Sequence, residues 1–131
     1  IDISLCMVKR ARQTIIDDRA RFILADAECL PFAGEWFNAV ICFAAFPHLD
    51  AKERALAEFC RVTRPGGILV ILHLMGRDEV NRLHQQLPGA VSEDLLPDVP
   101  EMRRLVEKGG YDDVRVENRP DLLLLCARRP L

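Results

Sequence analysis

No stretch of this chain stays apolar for long. Apolar runs such as Ile68 to Leu72 and Leu122 to Ala127 fall far short of the roughly 20 residues a membrane-crossing helix needs and read as buried strands. There is no excess of charge of one sign either. With 18 Lys and Arg against 20 Asp and Glu, a formal charge of -2, the chain has no long-range attraction for phosphate backbones or anionic lipid, so neither nucleic acid nor a membrane surface is an expected partner. A C-x-x-C pair is missing. The five cysteines at 6, 29, 42, 60 and 126 are odd in number, and three lie inside apolar segments, which points to reduced, buried thiols in a cytoplasmic protein and not to a metal or disulfide framework. No signal peptide, repeat, linker or low-complexity segment is visible, and 131 residues at 50% hydrophobic composition can bury one core, so a single domain is expected.

What is present alternates between helix and strand patterns. Leu5, Val8, Ala11 and Ile15 recur at helical spacing after Ser4, a suitable N-cap that follows a short extended piece, Ile1 to Ile3. Ala20 to Ala25 reads as a strand ending at Asp26. Ala39 to Phe46 is apolar without alternation, as in a central parallel strand covered on both faces. Asp50 to Thr63 has the period of an amphipathic helix, with Ala55, Leu56, Phe59, Cys60 and Val62 inward and Lys52, Glu53, Arg54 and Glu58 outward.

Pro65-Gly66-Gly67 then predicts a sharp turn into a buried strand, Ile68 to Leu74. Two strands joined by a helix cross over right-handedly in nearly all cases, so these two are expected to be parallel neighbours. A helical pattern at Glu79 to Leu87, a Pro-rich loop from Pro88 to Pro100 and a helix from Pro100 to Lys108 follow. The tail, alternating Val114 to Arg119, then Pro120-Asp121, then Leu122 to Ala127, predicts an antiparallel hairpin that closes the sheet. The fold class is therefore α/β, mostly parallel with an antiparallel C-terminal end.

Four signatures in order give a family resemblance. They are Ile1-Asp2-Ile3-Ser4 with Met7; Asp26-Ala27-Glu28 with Leu30-Pro31-Phe32; the strand with Phe43 followed by Pro47-His48-Leu49; and Glu58 to Arg61 leading into Arg64-Pro65-Gly66-Gly67. Over almost its whole length the chain resembles a class I S-adenosylmethionine-dependent methyltransferase of the small-molecule type. The resemblance implies a Rossmann-like sheet, S-adenosyl-L-methionine as cofactor and a small-molecule methyl acceptor. It places Asp2 where a carboxylate accepts both ribose hydroxyls, Ile3 and Met7 beside the adenine, and Asp26 with the Ala27 N–H on the adenine edge. Phe43 and Ala44 fall where the sulfonium and the acceptor meet.

At the mouth of that site His48 is a candidate general base on the acceptor or a shaper of the pocket. His73, on the carboxyl edge where open α/β sheets bind ligands, is a second candidate for contact with the acceptor. His84, among polar neighbours on a helix, reads as solvated, and the Gly66-Gly67 pair as a structural turn that permits positive φ. Methyl transfer asks little of side chains beyond positioning, so a catalytic base is optional.

The family's glycine-rich loop after its first strand has no counterpart, because the chain begins at the acidic end of what the resemblance makes the second strand. In the family's sheet order, 3-2-1-4-5-7-6, the missing strand is central. Either the segments 20–26 and 39–46 close against each other, or another chain, such as a second copy, fills the gap through the exposed edges. A fragment of a longer product is the simplest origin expected. Two other readings stay open: an oxidoreductase, although Tyr111 is the only tyrosine and no Tyr-Lys pair is offered, and a noncatalytic interaction module on the same fold.

Overall fold

In the computed structural model, which describes all of residues 1–131, the centre of the molecule is a four-stranded sheet in the order β1-β2-β4-β3. The elements run α1 (Leu5–Thr14), β1 (Phe37–Phe43), α2 (Lys52–Val62), β2 (Thr63–His73), α3 (Arg77–Gln85), α4 (Val99–Lys108), β3 (Asp112–Arg119) and β4 (Leu122–Arg128). β1 and β2 pair in parallel, with Ile41 opposite Val70, and α2 makes the crossover between them. β4 pairs antiparallel with both β2 and β3. No helix is long and apolar enough to cross a membrane.

The local signals explain most of these elements. The Ser4 side chain caps α1 by accepting from the Met7 N–H, and Asp98 caps α4 by accepting from Glu101, with Pro100 in the first turn. On α2 the residues Ala55, Leu56, Phe59 and Val62 are buried, while Cys60 is half-buried. They meet Leu69, Ile71, Leu123 and Leu125 of the sheet and Met102, Leu105 and Val106 of α4 in one core. At the base of β2, the Thr63 hydroxyl donates to the Phe59 carbonyl and bonds the buried Tyr111 hydroxyl.

Several expectations need correction. Ala20 to Ala25 does not form a strand. Its only pairing is a single parallel bridge between Leu24 and Asp2, held by Asp2 N–H to Ile23 and Ala25 N–H to Asp2. Two extended pieces without a third strand are marginal, and here no third strand lies beside them. Nor do 20–26 and 39–46 close up, for β1 ends the sheet with its outer edge unpaired.

The turn at Pro65 to Gly67 is instead an irregularity within β2, where the register jumps from Phe37–Thr63 to Ala39–Ile68. Gly66 has φ +75°, whereas Gly67 is needed for space: a Cβ there would lie 2.8 Å from the Arg64 carbonyl and 2.9 Å from that of Asn38. The cysteines also differ from expectation. All five are free thiols, but only Cys42 is fully buried, its pKa pushed up to about 11 by that burial, and Cys6 and Cys29 are exposed.

The sheet is clothed on one face only. Cys42, Leu69, Ile71, Leu123 and Leu125 face the helices and are buried, while of the alternate residues on the other face Ile41, Phe43 and Ile68 are exposed and Val70, Leu72 and Leu124 half-buried. Ile41 is 65% and Phe43 54% exposed, against the two-sided burial expected for a central parallel strand. α1 buries only Val8, and its other apolar positions, Leu5, Met7 and, just past its end, Ile15, are open.

Candidate functional site

Between the Asp2–Leu24 bridge and the open edge of β1 lies a cavity of about 880 Å³. Ile1, Asp2, Ile3, Ile23 and Ala25 line it together with the run Ala39 to Ala45, with Asp26, Ala27 and Glu28, and with His48 and Leu49. Asp2, Ile3, Asp26, Ala27, Phe43, Ala44 and His48 are thus brought together. Met7 and His73 are not among the lining residues.

Each acidic residue is set by its own loop. Asp2 Oδ1 accepts from the Ser4 N–H at 2.7 Å, and Asp26 Oδ1 accepts from the Glu28 N–H at 2.8 Å. Such Asx turns fix the carboxylates and leave each Oδ2 for another donor. The Ala27 N–H, beside Asp26 on the cavity wall, is engaged in no hydrogen bond within the chain. An acceptor and a donor one residue apart form a pair suited to the edge of a purine ring.

The loop that carries them is clasped to α2. Glu58 Oε2 accepts from the Leu30 N–H at 2.8 Å, Glu28 Oε1 accepts from the Ala51 N–H at 2.8 Å, and the Arg61 guanidinium donates to the Leu30 and Phe32 carbonyls and to Glu58. The hydrogen bond from Arg61 holds the Glu58 carboxyl below the usual carboxylate range. The outward Glu58 of the helical pattern is therefore a tether, as its spacing of three from Arg61 and the neighbouring Pro31 loop allow.

At the carboxyl end of β1 the chain leaves the sheet through Ala44, whose φ is +49°. A non-glycine residue in that region marks a constrained turn beside a site. The turn delivers Phe46 and Pro47 into the core and His48 to the cavity mouth as a short 3₁₀ turn, Phe46–His48. Lys52 Nζ pins this turn by donating to the Pro47 and Leu49 carbonyls at 3.1 and 2.9 Å.

His48 is not alone. Its Nδ1 lies 2.7 Å from Asp94 Oδ2, and its ring stacks on that of His84 at 4.9 Å between centroids and 28° between planes. His84 is consequently buried and not solvated: its Nδ1 donates to the Asp94 carbonyl at 2.5 Å. Arg77, Asn81 and His84 share one face of α3 and bind Pro97, Leu96 and Asp94 respectively, zipping the Pro-rich passage onto that helix. This i, i+4, i+7 polar row is the signal that the sequence carries for the packing. Asp94 itself gave no signal, since its contact spans 46 positions.

His73 is 5% exposed on the helix-covered face of β2, so it does not reach the cavity as expected from its place at the strand end. Its Nε2 has no hydrogen-bond partner. Burial, reinforced by the neighbouring His48 and His84, lowers its pKa to about 4, which keeps the ring neutral. No three His, Cys, Asp or Glu side chains are placed to hold a metal ion.

The residues fit the adenosine part of S-adenosylmethionine: two carboxylates with a free oxygen each, an unpaired N–H and an apolar wall. They do not provide for its methionine end. Arg21 is the one cation on the lining, and its guanidinium is already turned to the Asp18 and Ala20 carbonyls.

Comparison with known proteins bears on the same residues. The profile of the family described as "Methyltransferase domain" matches residues 1–71. The ubiquinone/menaquinone biosynthesis C-methyltransferase UbiE of Stutzerimonas stutzeri is 35% identical over 100 residues, covering 73% of this chain and 38% of that protein. The methyltransferase GfsG of Streptomyces halstedii is 31% identical over 124 residues, 85% of this chain and 43% of that protein. The chain therefore spans well under half the length of these relatives. A SAM-dependent methyltransferase from Thermotoga maritima superposes with a TM-score of 0.76 at 20% identity, over 96% of this chain and 70% of that one.

Proposed function

Because this chain belongs to the methyltransferase-domain family, we propose that its cavity holds the adenosine part of S-adenosyl-L-methionine and that the exit of β1 presents a small-molecule acceptor for methylation. The observation that supports this most is the convergence on one cavity of Asp2, Asp26, Ala27, Phe43, Ala44 and His48. Asp26 Oδ2 would accept from the adenine amino group, the Ala27 N–H would donate to the ring, and Asp2 would take the ribose hydroxyls. When bound, the cofactor supplies a methyl group already activated as a sulfonium. What the chain adds is position: small residues at Ala44 and Ala45 allow close approach to the backbone, and the apolar wall excludes water.

The oxidoreductase reading loses support. Tyr111 is buried against Thr63 and Cys60, where burial pushes its pKa up, and it does not line the cavity.

The Asp26→Ala variant tests the assignment. Losing one charge-assisted hydrogen bond is expected to weaken S-adenosylhomocysteine binding by roughly 1.5–3 kcal/mol, about 10- to 100-fold. Unchanged affinity would mean that the adenine does not sit there.

A further inference from the structure

All three histidines of the chain gather at one place, the mouth of the cavity and the ground beneath it. They come from three elements: His48 from the turn after β1, His84 from α3 and His73 from the end of β2. A fourth group, Asp94, arrives from the passage between α3 and α4 and bonds two of them, with its carboxylate to His48 and its carbonyl to His84. We propose that His48 and Asp94 form a proton-accepting pair, and that the acceptor is an O–H acid of the phenol or enol type. This rests on the reading of the cavity as a methyl-transfer site.

The tautomers follow from the partners. A carbonyl can only accept, so His84 carries its proton on Nδ1. A carboxylate likewise only accepts, so Asp94 Oδ2 holds the His48 proton on Nδ1. His48 Nε2 is then a lone pair, with no partner in the chain, on a residue that lines the cavity. When the acceptor hydroxyl gives its proton to that nitrogen, its oxygen is free to form the new O–C bond as the methyl–sulfur bond breaks. The imidazolium that results lies against Asp94.

The other basic groups nearby take no part in this exchange. Burial keeps His73 neutral below the pair. Lys52, whose amine is attracted to Asp94 and Asp50, is tied to the Pro47 and Leu49 carbonyls and not to the imidazole. The nearby walls, Phe43, Ala44, Ala45 and Leu49, are apolar and suit a flat ring. A neutral amine acceptor would have its own lone pair and no need of this arrangement, whereas a phenol must lose its proton to become a strong nucleophile.

Asp94 is a positioning residue, so its test must read the ring and not only the product. The probe is 4-nitrophenol, whose ionised form absorbs in the visible, added to the chain saturated with S-adenosylhomocysteine at a pH where the free phenol is mostly neutral. The wild-type chain is expected to bind the probe with its phenolate fraction raised about tenfold or more. His48→Gln and Asp94→Asn should bind it as the neutral phenol. Nitrogen NMR of the imidazoles should show His48 as the Nδ1–H form in the wild type and a loss of that form in Asp94→Asn, whose amide can donate to Nδ1.

The proposal is overturned if the wild type binds the probe only as the neutral phenol, if it binds no phenol beside S-adenosylhomocysteine, or if Asp94→Asn keeps the wild-type spectrum. Failure of S-adenosylhomocysteine itself to bind would instead remove the underlying reading of the cavity.

Discussion

His73 is the residue whose environment differs most from what its position suggested. On a strand end at the carboxyl edge it reads as a ligand contact, yet the strand alternation that buries Leu69 and Ile71 buries it too. The consequence is thermodynamic. An unfolded histidine titrates near 6.5, whereas this one titrates near 4 in the folded chain. Between those values the unfolded chain binds a proton that the folded chain does not, so stability present above about pH 6.5 is lost as the pH falls toward 4, with a slope of at most about 1.4 kcal/mol per pH unit. Urea denaturation at pH 7, 6 and 5 checks this. A His73→Leu variant should show a shallower fall over the same window, and equal slopes in the two proteins would refute the assignment.

Several cavity-lining residues are marked locally in the sequence. Asp2 and Asp26 each sit two residues before the N–H they accept from, a short-range turn chemistry that sequence shows directly. His84 and Asp94 were not legible. What they do depends on a fold-level meeting of α3, the 94–97 passage and the β1 exit, and no spacing rule encodes a contact between positions 48 and 94.

At the level of elements, the pattern Glu58, Arg61, Arg64-Pro65-Gly66-Gly67 proves to be two devices. Glu58 and Arg61 fasten the loop through Leu30 and Phe32 to α2. The glycines let β2 start with an irregular register beside β1. Gly67→Ala is expected to destabilise the fold by about 1–3 kcal/mol, because the added methyl meets backbone carbonyls that cannot move aside cheaply. Chemical denaturation reads this, and a loss below about 0.5 kcal/mol would show that the strand relaxes around it.

The parallel β1–β2 pair, α2, α4 and the hairpin were predictable, since each has an unambiguous period and stop signals. The strand at Ala20 to Ala25 was not realised. Its residues have the right character, but a strand also needs a neighbour, and composition cannot supply one.

Over the whole molecule, the sheet carries helices on one face and leaves Ile41, Phe43, Ile68, Val70, Leu72 and Leu124 without a helix above them, beside an unpaired β1 edge. Apolar surface of this extent recruits partners. The chain alone is expected to self-associate reversibly in sedimentation velocity, and Ile68→Lys, a charge placed on the open face away from the cavity, should shift it toward monomer. A monodisperse wild-type monomer would contradict this.

The cavity lining suits the adenosine side of the proposed cofactor, and ligand preference is the most direct test of the account. In calorimetric titration of the wild-type chain, S-adenosylhomocysteine should bind saturably at one site and NADH should give no heat of binding. Silence with S-adenosylhomocysteine at millimolar concentration, or saturable NADH binding in its place, would contradict the assignment of this cavity to methyl transfer.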